Sequence, residues 1–405
     1  MRLTVRFFHV VCLALFLFAS AAMAAEQKKR SWQVEDDGLQ GATEVPGYTL
    51  DDMRKLAEAV EKTGLKMGEI PAIIKPVFLS ISDASLSMDD DEEVFIVEHG
   101  QNLVRIYPRN VLVWHETVND TVPKTPLQDG GDVQPASGED ADEGYTVSYS
   151  PLSGTLVAFR GTIGKYSSLF GSTGTLLNGN SVLFDFISHS MWSQLLAGCF
   201  EGPFRGKRLD RVQVTRAVWG GVKERYGGLD TRFSGKAEVL SRATGHRRTY
   251  GRDPYGQPDD PKGYYNNTLI PFSVAVQDDR LPPKKRILGL EFDGEQAAVQ
   301  VDEIKRQVVI NFELGRRPLV ALYDREIDAV RVFGRMVEGQ DAPLTFSVVD
   351  GTLIDTPTGT EWSFTGRGER GLLREKQLIE ALAIDSMWFA WVAFYRGTRV
   401  IPLPQ

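Results

Sequence analysis

The chain has 405 residues, a formal net charge of −8 and two cysteines. Its length leaves room for two domains of ordinary size, and an acidic balance with no basic stripe argues against nucleic acid or anionic membrane surfaces as partners. Cys12 falls in the apolar leader, so Cys199 is left alone, and neither an internal disulfide nor a cysteine-based metal site is expected.

Residues 1–24 read as a secretory signal peptide. Arg2 and Arg6 supply the positive end, Phe7 to Ala21 the apolar core, and Ala22-Met23-Ala24 the small-x-small cleavage pattern. Removing the two arginines with the leader takes the formal charge from −8 to −10. The expected location is therefore exported, in the periplasm or outside the cell. No later apolar run has membrane length, so no transmembrane segment is expected in the mature chain.

Residues 25–68 form a leader and a helix. Ala25 to Pro46 is polar, a tether; Thr49 and Asp52 are then spaced as a capping pair, Met53, Leu56, Ala57 and Val60 recur at helical spacing, and Gly64 is the expected stop. A first sheet-rich unit is placed at 69–245. Its acidic run Asp89 to Glu93 reads as a solvated turn, and Val94–Val97, Leu103–Tyr107, Val111–Trp114 and Thr155–Phe159 read as strands. Between Leu127 and Tyr145 lies an acidic, Gly-rich stretch expected to be a mobile surface insertion, its carboxylates lacking the spacing of a known calcium loop. Phe170 to Thr175 reads as a hairpin. Trp219, Val222 and Tyr226 then share one helical face, with Thr215 as the expected N-cap.

A connecting segment, 246–286, is marked as irregular by Gly, Pro and Asp, and its tyrosines predict that it is ordered against a seam. The second unit, 287–405, offers strands at Ile287–Phe292, Ala298–Val301, Val308–Ile310 and Leu319–Tyr323. It ends on a helix with Trp388, Trp391 and Tyr395 on one face and Asp385 as the expected N-cap.

The two units carry the same motif. Asp185-x-x-Ser188-x-Ser190-x-Trp192 and Asp355-x-x-Thr358-x-Thr360-x-Trp362 both follow an apolar run, and the landmarks Gly198, Leu209, Trp219 and Tyr226 recur in order as Gly368, Leu378, Trp388 and Tyr395 once a single deletion is allowed. That pattern points to a duplicated unit. The fold class is thus mainly β or α+β: two tandem sheet-rich units, each closed by an aromatic helix, plus an N-terminal helix. The motif itself reads as a strand whose terminal Asp accepts hydrogen bonds from the following turn, onto which the Trp folds back. The alternative is that the Asp and hydroxyls face a cleft and bind a ligand or cation.

Anchoring on Asn119-to-Pro126 and Asn311-to-Pro318, which have equal spacing, pairs His115 with Gln307, Glu116 with Val308 and Asp120 with Phe312. The first unit therefore holds His115, Glu116, Asn119 and Asp120 where the second keeps only the Asn. The shared Asn suggests a structural turn, and the unshared groups suggest a site in one half. His115 and Asp120 are the candidate metal ligands, or His115 a base oriented by a carboxylate; a buried histidine satisfied by a carbonyl is the plain reading beside these. Nearby, Ser150 and Ser153 sit in a hydroxyl-rich turn without a nucleophile elbow, and no phosphate loop, dinucleotide fingerprint or His-Glu-x-x-His motif occurs.

Several motifs taken together resemble the bacterial Domain of Unknown Function 3179 family: Tyr107-Pro108, Trp114 to Asp120, Pro151-Leu152-x-Gly154-Thr155, Asp185 to Trp192, Gly202-Pro203 and Arg252-Asp253-Pro254-Tyr255. The resemblance runs from about Glu69 to the C-terminus. Where that family reads Cys-Pro-Leu-Cys-Gly, this chain has Ser150-Pro151-Leu152-Ser153-Gly154. The family's cysteine pair looks like a metal or redox site; serine is a poor soft-metal ligand and forms no disulfide, so thiol chemistry is not expected here.

The leading expectation is an exported, non-catalytic tandem-repeat protein that binds a small ligand or an envelope partner near His115, Glu116, Asn119, Asp120, Ser150, Ser153, Asp185 and Ser188. Its rivals are a metal-assisted hydrolase built on His115 and the nearby carboxylates, and a purely structural envelope protein.

Overall fold

The computed structural model describes residues 39–100, 102–122, 143–228, 233, 235–244, 248–257 and 260–401. The expected signal peptide at 1–24 and the expected insertion up to residue 142 lie outside them. The chain is β-rich, with several small sheets and few helices.

The N-terminal helix α1 (Leu50–Glu58) starts as its sequence demands, with Thr49 and Asp52 exchanging side-chain and backbone hydrogen bonds in a full capping box. It ends at Glu58, with Ala59 as C-cap, well before Gly64. Thr49→Ala is expected to lower stability by about 1 kcal/mol in a denaturant titration.

Two series of elements follow. The first is β1 (Glu93–His99), β2 (Leu103–Pro108), α2 (Arg109–His115), β3 (Thr117–Val122), β4 (Glu143–Ser150), β5 (Thr155–Arg160), β6 (Phe170–Leu177), β7 (Asn180–Asp185), β8 (Met191–Ser193), β9 (Gly198–Glu201), β10 (Thr215–Val218), α3 (Trp219–Tyr226) and β11 (Lys236–Leu240). The second runs in the same order: β12 (Arg286–Phe292), β13 (Glu295–Gln300), α4 (Val301–Gln307), β14 (Val309–Leu314), β15 (Arg317–Asp324), β16 (Ala329–Gly334), β17 (Phe346–Val349), β18 (Thr352–Asp355), β19 (Glu361–Trp362), β20 (Gly368–Arg370), β21 (Ile384–Met387), α5 (Trp388–Phe394) and β22 (Arg399–Ile401).

Pairing matches as closely as order. The sheet β10-β1-β2-β11 has two antiparallel junctions and a parallel last one, and β21-β12-β13-β22 has the same. Three-stranded meanders (β3-β4-β5 and β14-β15-β16) and four-stranded ones (β6 to β9 and β17 to β20) complete each half. The halves interlock: the Met387 N–H donates to the Ser153 carbonyl at 2.8 Å, and the Val218 N–H donates to the Ile327 carbonyl at 2.8 Å. Asp385 of β21 also pairs with Leu156 of β5, so a sheet crosses from one half to the other.

The aromatic helices bury the faces their spacing requires, with Trp219, Val222, Tyr226, Trp388, Trp391 and Tyr395 all in the core. Trp391 lies so close to β12 that a Cβ on Gly289 would stand 2.2 Å from its ring. Thr215 and Asp385 are not their N-caps. Both lie in strands, and the caps Val218 and Met387 offer no side-chain acceptor. The first helical N–H groups are satisfied instead by carbonyls of the loops before β1 and β12: Trp219 to Glu92 and Phe389 to Pro283, both at 2.9 Å.

Val111–Trp114, read as a strand, is helix α2. Val111, Leu112 and Val113 are buried in succession, and a short, wholly buried apolar run has no period to separate strand from helix. In the acidic run, Asp89 to Asp91 are exposed as expected, but Glu93 begins β1 and is ion-paired. The glycine landmarks are one position out of step: Trp192 faces Cys199 across its ladder, whereas Trp362 faces Gly368, so the deletion falls before Cys199.

Candidate functional site

In both halves the Asp-x-x-Ser/Thr-x-Ser/Thr-x-Trp motif builds a locked turn. Asp185 Oδ1 accepts from the Ser188 N–H at 2.6 Å, while Oδ2 accepts from the Ser190 N–H at 3.0 Å and the Trp192 indole at 3.1 Å. Asp355 accepts from the Thr358 N–H at 2.7 Å and the Trp362 indole at 2.9 Å. The Ser188 and Ser190 hydroxyls stand 2.6 Å apart, and those of Thr358 and Thr360 2.7 Å. Asn119 is also shared: it clamps both main-chain groups of Phe170 at 2.8 and 2.9 Å, and Asn311 does the same to Phe346 at 2.9 and 2.8 Å.

The groups found only in the first half lie in two places. Asp120 sits in a buried cluster, accepting from Tyr107 at 2.7 Å and Tyr145 at 3.0 Å with Arg105 Nε at 3.3 Å; burial pushes both phenols well above their ordinary pKa. Glu116 belongs to another patch. It is the C-cap of α2 in a left-handed conformation (φ 55°), and Val308, at the same place after α4, has φ 71°. The backbone there is thus a property of the fold: each cap N–H returns to the helix, to Leu112 at 2.8 Å and to Ile304 at 2.7 Å. Only the side chain differs.

That side chain is buried. Burial raises the Glu116 pKa, against the opposing pull of hydrogen bonds from the Ser172 and Ser181 hydroxyls. The Ser181 hydroxyl is also 3.0 Å from Ser150 Oγ, to which the Ser181 N–H donates at 3.1 Å. The Ser181 hydroxyl is the donor of that pair, so Ser150 Oγ accepts from both the hydroxyl and the N–H of Ser181. The second carboxylate oxygen, Oε2, has no hydrogen-bond partner among the described residues. Next to Ser150, Ser153 Oγ accepts from Asn180 at 3.0 Å and donates to Thr155 at 2.9 Å; Asn180 reaches Gln194 at 2.7 Å, and Thr155 meets Ser386 of the second half at 2.8 Å.

Two further features close around the turn. The connecting segment packs on it: the Tyr264 hydroxyl donates to the Leu152 carbonyl, and Tyr255 lies within electrostatic reach of Glu116. From the other side Arg216 donates to the Gly154 carbonyl at 3.1 Å and sits between Asp385 at 3.4 Å and Glu93 at 3.5 Å. Arg109 links Glu93 to Asp253, at 3.1 and 2.9 Å. Sequence reasoning missed this ionic frame and the partners Ser172, Ser181, Asn180 and Gln194; the Arg252 to Tyr255 motif was the signal that could have led to it.

His115 abuts the patch without entering it. Its Nδ1 is 2.7 Å from the Pro71 carbonyl and its Nε2 2.8 Å from the Tyr250 hydroxyl. A carbonyl only accepts, so Nδ1 carries the proton, and both ring nitrogens are engaged. Asp185 lies four residues along β7 from Ser181, about 13 Å away at strand rise. The structure therefore brings Glu116, Ser150 and Ser153 into one patch. Asp120 stands in a separate cluster, while Asn119, Asp185 and Ser188 are held in turns and clamps that the other half also makes with Asn311, Asp355 and Thr358.

Among the described residues no three His, Cys, Asp or Glu side chains are grouped to hold a metal ion, and no helix is long and apolar enough to cross a membrane. What these features define is a β-rich protein of two interlocked, like-ordered halves with a buried carboxylate and hydroxyl patch in one. The chain belongs to the family described as "Protein of unknown function (DUF3179)", which it matches over residues 67–398. No curated protein and no solved structure matches it.

Proposed function

We propose that the protein is an exported, non-catalytic binding protein that holds a small polar ligand, or the polar tip of an envelope partner, at Glu116 beside Ser150 and Ser153. The observation that carries this reading is the unpaired Oε2 of a buried carboxylate that the other half replaces with Val308 on the same backbone. A buried carboxylate oxygen without a donor is costly, and a ligand ammonium or hydroxyl is the donor it lacks. The hydrolase alternative is less well supported, since both nitrogens of His115 are already engaged and Asp120 stands in another cluster. We also read the two element series as copies of one ancestral module, with the polar patch kept in the N-terminal copy.

The test uses ethanolamine and glycerol as the smallest amine and polyol probes. One of them should raise the Tm of the mature protein, and Glu116→Gln should remove the rise; equal rises in both proteins, or none, would reject the site. Export is tested by intact-mass measurement of periplasmic and medium fractions, where the chain should begin at Ala25.

Glu116→Gln also carries a pH signature. Its folded pKa is raised, so the stability that Glu116 supports is complete below the ordinary carboxylate value and is lost as pH rises through the folded pKa. Without ligand, the variant should be more stable than the wild type by about 1–2 kcal/mol at neutral pH, and the gap should vanish in acid. Urea titrations at several pH values measure this directly.

A further inference from the structure

The N-terminal segment is a strap on the first half. The Arg208 N–H donates to the Thr43 carbonyl at 2.7 Å, and the Val45 N–H donates to Gly206 at 3.1 Å, so residues 43–45 add an edge strand beside 206–208. Glu44 faces Lys207 at 3.5 Å, Val45 is buried, and the Tyr48 hydroxyl donates to the Phe394 carbonyl at 2.6 Å. After α1 the strap continues across the sheet to its other edge. Glu61 and Lys62 pair with Leu176 and Thr175 of β6, and the Gly68 N–H donates to Ser172 at 3.0 Å.

The second half has the same sheet, and among the described residues no strap lies along it. Residues 375–377 hold the place of 206–208: Glu375 N–H to Gly368 at 2.8 Å repeats Gly206 N–H to Cys199 at 2.8 Å, and Gly368 N–H to Lys376 at 2.9 Å repeats Cys199 N–H to Lys207 at 2.8 Å. Yet among the described residues no backbone hydrogen bond engages the Gln377 N–H or the Glu375 carbonyl, the two groups whose counterparts hold the strap. At the other edge β17 ends its sheet, with Val348 and Val349 exposed, and Leu372 and Ile379 are 76% and 78% exposed. Below lies a cleft of about 1060 Å³ lined by Tyr226, Arg331, Trp362, Arg367, Gln377 and Glu380. Its counterpart in the first half, around Arg208, Arg211 and Glu291, measures about 270 Å³, with Thr43 of the strap in its wall.

We propose that this cleft and edge form a docking site for an extended segment of a partner protein, which adds a strand beside 375–377 as residues 43–45 do beside 206–208. Exposed edges with free main-chain donors and acceptors are templates for such addition, and the main-chain bonds provide most of the affinity. The nature of the occupant follows from the strap on the first half, an extended segment held by its main chain. The rim carries both signs, Arg367, Arg370, Arg374 and Lys376 against Glu369 and Glu375, with Lys376 held by Glu338 at 2.9 Å and Arg370 by Glu361, so net charge does not select it.

A fluorescent synthetic peptide of residues 39–68 serves as the probe, titrated into the full mature chain, with amide exchange recorded in parallel. The expected result is one peptide per chain at micromolar affinity, with new protection at 346–349 and 375–377. Gln377→Pro, which removes the exposed donor, should weaken binding at least tenfold; Ile379→Asp, on the surface beside it, should weaken it several-fold. Absence of binding, protection confined to 172–176 and 206–208, or burial of the same edge in a peptide-free dimer on sedimentation would each overturn the proposal.

Discussion

Asp185→Ala is expected to destabilise the protein by about 4 kcal/mol, with Trp192 fluorescence shifting to that of a wetter indole. The side chain accepts from three main-chain N–H groups, a hydroxyl and an indole, all but one of these donor residues being fully buried, and alanine leaves these donors unsatisfied. Each orphaned buried donor costs about 1–3 kcal/mol, reduced where water or a relaxed turn can substitute. Asp355→Ala should cost less, about 2–3 kcal/mol, because among the described residues its side chain has fewer donors: the Thr358 N–H, the Thr358 hydroxyl and the Trp362 indole. Denaturant titration of the two variants gives the ranking. If instead Asp185→Ala left stability untouched and abolished ligand binding, the turn-lock reading would fail and the carboxylate would belong to a site.

The motif that yields this prediction was legible because its determinants are local. An Asp at a strand end, hydroxyls three and five residues on and a Trp at seven specify a turn through bonds that span only those residues. The capping pair Thr49 and Asp52 is legible for the same reason, and the strands β1, β2, β5 and β12 through their β-branched and aromatic content. Helix α2 was not legible. Its three buried apolar residues in a row carry no period, and what decides the matter is the surrounding structure, which buries Val111, Leu112 and Val113 alike. The site was half legible. Comparing the two halves singled out His115, Glu116 and Asp120 together as groups the second half lacks, while Ser150 and Ser153 stood out separately as a hydroxyl-rich turn; of the first three only Glu116 lies with the serines. Nothing local, however, could show that the His115 ring is closed off by Pro71 and Tyr250, residues 44 and 135 positions away, or that β21 lies beside β5. Such long-range pairings leave no trace in sequence spacing.

The Arg216 frame is of that second kind, and its removal should be the other large effect. Arg216→Met is expected to cost about 3–5 kcal/mol, the usual penalty for deleting one member of a buried ionic network and leaving its partners uncompensated. The guanidinium stands between Glu93 and Asp385, donates to Gly154, and lies 5.5 Å from the Tyr149 ring. Burial works to raise the pKa of Glu93, but Arg216 and Arg109 outweigh it and hold the carboxyl below its ordinary value. The sign is therefore opposite to that of Glu116. A depressed folded pKa contributes stability that is present above the unfolded value and is lost as pH falls through the folded one. The gap between wild type and Arg216→Met should be widest at neutral pH and narrow in acid, where Glu93 is protonated in both. A double variant, Arg216→Met with Glu93→Gln, should recover part of the loss at neutral pH, since it removes one stranded charge; the two residues are in contact, so their effects should not add. Urea titrations at neutral and acid pH read all three proteins. A loss that stayed constant across that range would mean that packing against Tyr149, and not the charge of Arg216, holds the turn at Gly154 in place.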